Sequence, residues 1–234
     1  MHENLRRIER VVKGLGTLCD NMVFVGGSVA IVYATDQAAS EIRPTLDVDI
    51  VTEVTSYHNL DSLESELRKR GFINDIESGV ICRWKYKSET VDIMPCDEKI
   101  LGFSNKWYVE GFKNRISYPL TSDLEIKIFP VCYYLACKIE ALNSRGGNDW
   151  RFSHDFEDII YVLNYDEGFG DQYQKESNEE LKDYLCSWAK SVFIRPNFRE
   201  EIESMLPYGE TQRLGYIISL FNEILGFNEI LGKE

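Results

Sequence analysis

The sequence predicts an α+β fold in the first half of the chain and a wholly helical fold in the second half. Apolar and polar residues alternate from residue 46 to residue 50 of the stretch 46–51, and short apolar runs recur up to about residue 128, which indicates strands. After Pro130, apolar residues recur at helical spacing almost to the C-terminus. These observations divide the chain into an α+β domain at residues 1–129 and a helical domain at residues 130–234.

Each element of the first region follows from a local pattern. Apolar residues at helical spacing predict an N-terminal helix, and a charged amphipathic stretch predicts a second one. The apolar run at 23–25 breaks at two glycines and restarts at Ser28, which is typical of a strand, a turn and a helix. A later strand pair forms a hairpin around Lys87, Ser88 and Glu89. In chain order the predicted elements are helix 3–19, strand 23–25, a helix from 28, strand 46–51, helix 57–70, strands 80–86 and 90–94, and strand 124–128.

The second region carries apolar stripes at helical spacing, separated by short polar breaks. This pattern predicts a bundle of helices rather than further strands. The predicted helices are 130–144, 153–164, 177–193, 197–205 and 210–225.

Composition and charge limit the classes of protein to consider. With 234 residues, 44% of them hydrophobic and 12% aromatic, the chain can bury a substantial core. No apolar run approaches the ~20 residues that span a bilayer, so we expect a cytoplasmic protein with no membrane partner. The six cysteines include no C-x-x-C pair and are expected as reduced core residues. The net charge of −13 disfavours a general nucleic-acid-binding surface, although it leaves room for a local basic groove.

The turn Gly26-Gly27-Ser28 lies between two apolar segments and is suited to hold an anion. The N–H groups at the start of a helix point outward, and glycines let a phosphate approach the backbone. A Gly-Gly turn also serves as a tight connection without any ligand. By itself, this turn leaves both interpretations open.

Two carboxylates, Asp47 and Asp49, lie two residues apart in the alternating strand and therefore project from one face. Like charges this close repel unless a cation lies between them. Mg²⁺ is the hard cation that takes carboxylate oxygens together with substrate phosphates. A solvated acidic pair is the simpler alternative, but it is weakened by the preceding turn and by a third strand carboxylate, Asp92.

Together, the turn and the carboxylates predict two-metal nucleotidyl transfer from a nucleoside triphosphate (NTP). In this scheme Gly27 and Ser28 hold the β- and γ-phosphates. Asp47 and Asp49 hold the Mg²⁺ ions that bridge the triphosphate, while Asp92 binds the catalytic metal and helps to deprotonate the attacking hydroxyl.

The helical region adds a second group of charged residues. Lys138 and Arg145 are seven residues apart on one helix face, where a cation is suited to neutralise the triphosphate as charge moves onto pyrophosphate. Asp155 and Asp158 are three residues apart and share a face at the start of the next helix. The structural alternative is a clamp in which both cations pair with these aspartates, and Asp155 also suits a helix cap.

A set of six motifs carries a resemblance to a known family: GGS at 26–28, RPTLDVD at 43–49, VDIMP at 91–95, LGFSNKWY at 101–108, KIEA at 138–141 and SHDFEDI at 153–159. They resemble the DNA polymerase β nucleotidyltransferase superfamily, and more closely the AbiEii/AbiGii toxin family, which is encoded in toxin–antitoxin and phage-defence operons. The resemblance covers most of residues 20–165.

The resemblance implies a polymerase β-like nucleotidyltransferase fold, a mixed sheet flanked by helices, with the helical domain completing the active-site cleft. It also implies that Lys138 and Asp155 belong to the catalytic site. Lys138, Arg145 and Asp158 are then nucleotide-binding residues. Gly26, as part of the turn, and Arg43, which precedes the carboxylate strand, complete the predicted nucleotide-binding set.

Three classes of function fit these residues. The first is a toxin that moves a nucleoside monophosphate from an NTP such as ATP onto RNA, above all the 3′ end of tRNA, or onto a protein, under the restraint of a cognate antitoxin. The second is a small-molecule nucleotidyltransferase of the aminoglycoside-modifying kind. The third is a non-catalytic nucleotide-binding module. The intact carboxylates disfavour the third class, and the helical motifs favour the first over the second by resemblance.

Overall fold

The protein combines a mixed seven-stranded sheet with helices in a computed structural model that describes residues 2–54, 56–102 and 104–226. The α+β class predicted from the sequence is therefore confirmed. Phe103, part of the motif at 101–108, lies outside the described residues.

The chain forms two compact units. Unit 1 consists of Met1–Val32 and Arg43–Cys137, and unit 2 consists of Tyr33–Ile42 and Lys138–Glu234. The units are thus divided after Cys137, and unit 2 takes a short segment from the N-terminal half. The domain boundary drawn from the sequence, after residue 129, stays a prediction.

The sheet belongs to unit 1 and is mixed. Its strands are β1 (Met22–Val25), β2 (Asp47–Thr52), β3 (Ile73–Asn74), β4 (Arg83–Tyr86), β5 (Glu89–Pro95), β6 (Ile116–Pro119) and β7 (Glu125–Ile128). They lie in the order β3-β4-β5-β2-β1-β7-β6, and β1 with β7 and β2 with β5 are the parallel pairs. Every residue of β1 is apolar and buried, as expected for an interior strand that is covered on both faces.

The helices surround this sheet in unit 1 and make up most of unit 2. The α-helices are α1 (Glu3–Leu15), α2 (Tyr57–Lys69), α3 (Glu98–Leu101), α4 (Tyr108–Lys113), α5 (Val131–Arg145), α6 (His154–Tyr165), α7 (Phe169–Lys175), α8 (Glu179–Phe193), α9 (Phe198–Glu203) and α10 (Thr211–Ile224). Short 3₁₀ helices occupy Gly16–Asn21, Gly27–Tyr33, Ile76–Ser78 and Trp150–Phe152. Within the described part of the chain, no helix has both the length and the apolar character needed to cross a membrane.

Most predicted elements have an observed counterpart within a few residues, and three differ for local reasons. The first helix stops at Leu15 because Gly16 adopts a positive φ of +53°, after which the chain continues as a 3₁₀ helix. The strand predicted from residue 80 begins at Arg83. The α-helix expected from Ser28 is instead a 3₁₀ helix. Sequence patterns also missed several short elements: β3, β6, α3, α4 and α7.

Each unit has its own apolar core. Phe24, Val48 and Val91 are completely buried in unit 1, as are Phe156 and Ile160 in unit 2. All six cysteines are free thiols; five are buried and Cys186 is half-buried.

Candidate functional site

The strand register of unit 1 brings the three predicted carboxylates onto neighbouring strands. In the parallel pair β2 and β5, Asp49 lies directly opposite Asp92. Directly opposed residues project from the same face of a sheet, and Asp47, two residues before Asp49, shares that face. Asp92 is buried, whereas Asp47 and Asp49 are half-buried. We call Asp47, Asp49 and Asp92 the carboxylate patch.

The glycine turn meets the carboxylate patch at Gly26. Val25, the last residue of β1, pairs with Asp49 of β2. Gly26 has a φ of +72°, and a Cβ atom built on it would lie 2.6 Å from Cγ of Asp49. A side chain at this position would therefore be strained and would displace the carboxylate. The Tyr134 hydroxyl fixes the same turn by donating a hydrogen bond to the Gly26 carbonyl at 3.2 Å.

Gly27 and Ser28 begin the seven-residue 3₁₀ helix Gly27–Tyr33, so the helix predicted at Ser28 is present, but it is a short 3₁₀ helix. An anion at this turn therefore cannot depend on the dipole of a long helix. Ser28 is completely buried, at 0% exposure, and its hydroxyl has no hydrogen-bond partner among the described residues. An enclosed polar group without a partner costs about 1–3 kcal/mol. The Ser28 hydroxyl therefore has hydrogen-bonding capacity that the described residues do not use.

Arg83 belongs to this site, although the sequence did not single it out. It opens β4 and lies directly opposite Asp92 of β5. Its Nε donates to Oδ1 of Asp92 at 2.8 Å, and its Nη2 donates to Oδ2 of Asp92 at 2.7 Å and to Oδ2 of Asp47 at 3.2 Å. The hydrogen bond with Asp92 raises the pKa of the Arg83 guanidinium, which keeps its positive charge. The length of the hairpin turn could have revealed this pair from the sequence, because a two-residue turn places residue 83 opposite residue 92.

The ligand chemistry of the carboxylate patch suits a hard divalent cation. Burial, and then the negative charge of Asp92, raise the pKa of the neighbouring Cys82 thiol to about 11, so the site offers no thiolate at neutral pH. In the described residues, no group of three or more Asp, Glu, His or Cys side chains is arranged to enclose a metal. Mg²⁺ normally binds only one or two carboxylates and completes its shell with water and substrate phosphates. The oxygen ligands of the patch are therefore of the type that Mg²⁺ prefers, and substrate phosphates would complete the coordination shell.

Arg43 lies in the segment that leads into β2. The Asn4 side chain donates to the Arg43 carbonyl at 3.2 Å and accepts from the Thr45 N–H at 2.9 Å, which ties this segment to α1. The observed contact thus uses the Arg43 backbone. A phosphate contact of its guanidinium stays a prediction.

The four charged residues predicted in the helical region lie together in unit 2. Lys138 Nζ donates to Oδ1 of Asp155 at 3.2 Å and lies 2.7 Å from Oδ2 of Asp158. Arg145 donates to both oxygens of Asp155, through Nε at 2.7 Å and Nη2 at 2.9 Å. We call Lys138, Arg145, Asp155 and Asp158 the ion-pair cluster.

Three of the four residues in the ion-pair cluster are buried, whereas the side chain of Arg145 is 70% exposed. Asp158 is 0% exposed, and Lys138 and Asp155 are also buried. Burial raises the pKa of the Asp155 carboxyl, but its hydrogen bond with Arg145 and the charge of Lys138 outweigh burial, so the pKa lies below its usual value. Ser153, not Asp155, is the N-cap of α6, because its hydroxyl accepts from the Phe156 N–H.

These contacts are the ion pairs of the structural clamp that the sequence left open. The carboxylate patch and the turn belong to unit 1, and the ion-pair cluster belongs to unit 2. The catalytic role of Lys138 and Asp155 and the nucleotide-binding role of Arg145 and Asp158 stay predictions.

Unit 2 also contains a pocket of about 780 Å³ that sequence reasoning missed. Its lining includes Asp36, Asn164, Glu210 and Arg213. Arg213 donates to Asp36 at 2.7 Å and to the Asn164 carbonyl at 3.2 Å. The pocket is lined by residues other than the predicted site residues, and no sequence motif marks it because its walls come from distant parts of the chain.

Comparison with known proteins does not assign the chain to a family. No protein-family model matches the sequence, and no curated protein matches it.

Proposed function

We propose that the protein is a Mg²⁺-dependent nucleotidyltransferase that moves a nucleoside monophosphate from an NTP to an acceptor hydroxyl. The observation that carries this proposal is the register of three strands, β1, β2 and β5. It sets Asp49 opposite Asp92 and against the glycine turn, with Asp47 on the same face. Carboxylates on one face beside a glycine turn are suited to hold a cation and a triphosphate together.

The residues of unit 1 have separate roles in this proposal. Asp47, Asp49 and Asp92 would hold Mg²⁺, which when bound would neutralise the triphosphate. The Asp92 carboxylate accepts the proton of the acceptor hydroxyl as the hydroxyl oxygen bonds to the α-phosphorus. The bond from the α-phosphorus to pyrophosphate breaks in the same step. Ser28 donates its hydroxyl hydrogen bond to a phosphate oxygen, and Gly26 leaves room for Asp49 beside the backbone.

The proposal also covers the fold family, the acceptor and the partner of the protein. We assign the fold to the polymerase β-like nucleotidyltransferases and the chain to the AbiEii-type toxins, acting in the cytoplasm on tRNA or on a protein and restrained by an antitoxin. The motifs at 26–28, 43–49 and 91–95 support this assignment, because the structure gathers their glycines and carboxylates on neighbouring strands. The mixed sheet is compatible with it.

A transfer assay tests the proposal. The protein is incubated with each α-labelled NTP and Mg²⁺, in parallel with total tRNA, a cell lysate or a panel of aminoglycosides. We expect label in one acceptor class, and that class separates a toxin from a small-molecule enzyme. Asp49→Asn should abolish transfer, while Asp61→Asn, an exposed aspartate on α2, should leave it unchanged.

Two results would contradict the proposal. One is Mg²⁺-independent binding of the NTP together with no transfer to any acceptor, which fits the non-catalytic module. The other is wild-type transfer by Asp49→Asn, which would remove the carboxylate patch from the chemistry.

A further inference from the structure

Arg83 occupies the carboxylate oxygens that a divalent cation needs. Its guanidinium takes both oxygens of Asp92 and one oxygen of Asp47. The bidentate pair of Arg83 with Asp92 is among the stronger and more directional kinds of hydrogen-bonded ion pair. Mg²⁺ approaches carboxylate oxygens to about 2.0–2.1 Å. A guanidinium on the same oxygens would then stand beside the ion with like charge, so the two cations exclude one another.

We propose that Arg83 is an exchangeable counter-ion of the carboxylate patch. In the metal-free protein it holds Asp47 and Asp92, it yields them when a divalent cation binds, and it then pairs with the phosphates of the nucleotide. This inference rests on the proposed function, because it requires the patch to be the cation site. It adds Arg83 to the residues that contact the triphosphate.

Exposure of the side chains makes this exchange physically accessible. The side chain of Arg83 is 25% exposed and that of Asp47 is 34% exposed, so the pair borders solvent. A guanidinium at such a border can return to water when it leaves, whereas Asp92, whose side chain is only 11% exposed, needs the incoming cation to replace the charge of Arg83. Arg83 also stands at the first position of β4, where its side chain lies at the end of the strand.

The exchange predicts that metal and nucleotide bind cooperatively. A cation that arrives alone must displace Arg83 and leave its charge without these two carboxylates. A cation that arrives with a triphosphate brings an anion that receives the displaced guanidinium. Each ligand therefore strengthens the binding of the other, by the same factor in both directions.

Titration with Mn²⁺, a paramagnetic substitute for Mg²⁺, measures this competition without any activity assay. We compare the wild type, Arg83→Gln and the matched control Lys85→Gln. Lys85 lies on the same strand and face as Arg83, and Lys85→Gln removes the same charge as Arg83→Gln. However, Lys85 pairs with Asp75 at 3.3 Å and with Thr90 at 2.7 Å. Without nucleotide, we expect Arg83→Gln to bind Mn²⁺ at least about tenfold more tightly than the wild type, and Lys85→Gln to change by less than about threefold.

A second titration repeats the series with a non-hydrolysable NTP analogue. The analogue should tighten Mn²⁺ binding to the wild type and have a smaller effect on Arg83→Gln. Arg83→Lys keeps the positive charge but cannot form the bidentate hydrogen bonds of a guanidinium. Its Mn²⁺ affinity should therefore lie between those of the wild type and Arg83→Gln. It also serves as the test variant if Arg83→Gln does not fold.

The outcomes separate this inference from the proposed function. Mn²⁺ affinity that is unchanged or weaker in Arg83→Gln and Arg83→Lys, with wild-type binding that depends on Asp49, overturns the exchange and leaves the proposed function in place. No Mn²⁺ binding by any variant, with or without the analogue, overturns both.

Discussion

The carboxylate patch of unit 1 and the ion-pair cluster of unit 2 both set basic groups against buried aspartate, but they differ in balance and exposure. The cluster brings two cations to two carboxylates; its Asp158 is 0% exposed, whereas the side chain of its Arg145 is 70% exposed. The patch has three carboxylates, of which Arg83 contacts two, and the side chain of Asp47 is 34% exposed.

This difference separates a permanent ion pair from a replaceable one. Removing one partner of a buried pair leaves a charge that neither water nor protein solvates. At the border of solvent, water can replace the lost partner, and the interaction contributes little to stability. We therefore expect the cluster to stabilise unit 2, and the patch, under the proposed exchange, to release Arg83 to an incoming cation. Four variants test this contrast.

Removal of Lys138 should have the largest effect on stability. Lys138→Met leaves the completely buried carboxylate of Asp158 without this ammonium, and we expect the free energy of unfolding to fall by about 3–5 kcal/mol. Urea denaturation followed by circular dichroism measures the loss. Lys175→Met is the control, because its ion pair with Asp171 is long, at 3.9 Å, and largely exposed.

A double variant shows whether the loss comes from the uncompensated charge. Replacing Asp158 by Leu in the Lys138→Met background should recover part of the stability, because it removes the carboxylate that Lys138 compensates. Wild-type stability of Lys138→Met together with loss of NTP binding would instead make Lys138 a ligand-binding residue and break the comparison.

Gly26→Ala should have the next largest effect, because it strains the backbone and displaces Asp49. A positive φ costs a residue other than glycine about 1–2 kcal/mol, and the overlap with the Asp49 carboxylate adds to that cost. Gly79→Ala is a closely matched control, with a φ of +71° and open space around its Cβ. We expect Gly79→Ala to lose stability alone, and Gly26→Ala to lose more stability and also Mn²⁺ binding. Equal losses in both variants would show that Asp49 moves away without consequence.

Acid should weaken the ion-pair cluster through Asp155. Its folded-state pKa lies below the usual value of 3.8, so its ionised form contributes stability at pH values above that value. The contribution is lost as pH falls through the lower, folded-state pKa. Asp155→Asn should therefore be less stable than the wild type at about pH 6, and the gap should narrow towards about pH 3. A gap that stays constant across this range would remove Asp155 ionisation from the stability of unit 2.

Local patterns predicted much of the fold and part of the site. The alternation within the predicted strand 46–51 was sufficient to place Asp47 and Asp49 on one face, because side-chain direction in a strand depends only on spacing. The helix predicted from Ser28 forms as a 3₁₀ helix. Val29, Ile31 and Val32 are β-branched, which lowers helix propensity, and the segment ends after seven residues.

The contact between Arg83 and Asp92 was missed because the predicted strand register was wrong by one residue. The hairpin was expected to close around Lys87, Ser88 and Glu89, which places Trp84 opposite Asp92. Glu89 instead pairs with Tyr86, so the turn has two residues and Arg83 faces Asp92. Lys87 accommodates this tight turn with a positive φ of +53°, which is unusual for a residue other than glycine. A slip of one residue moves every side chain to the other face, so turn length was the decisive unknown.

Other parts of the site depend on tertiary contacts that spacing does not specify. The positions of Lys138 and Asp155 suit a clamp and a triphosphate equally well, and only the observed ion pairs show which contacts form in this structure. The pocket of unit 2 brings Asp36 next to Arg213, and no local pattern links residues so far apart in the chain.

The smallest effect on stability is expected for Asp47→Asn, and it tests the other side of the comparison. The Asp47 side chain is half-exposed, and its hydrogen bond to Arg83 is longer than the two that Asp92 accepts from Arg83. Loss of this carboxylate also relieves repulsion within the patch. We therefore expect the free energy of unfolding to change by less than about 1 kcal/mol, while Mn²⁺ binding in the presence of an NTP analogue is lost. Asp158→Asn, the equivalent change in the cluster, should cost several-fold more stability because Lys138 would then be left buried without that carboxylate. Similar losses in both variants would mean that the patch, like the cluster, is a permanent structural ion pair. That result would remove the physical basis for cation exchange at Asp47.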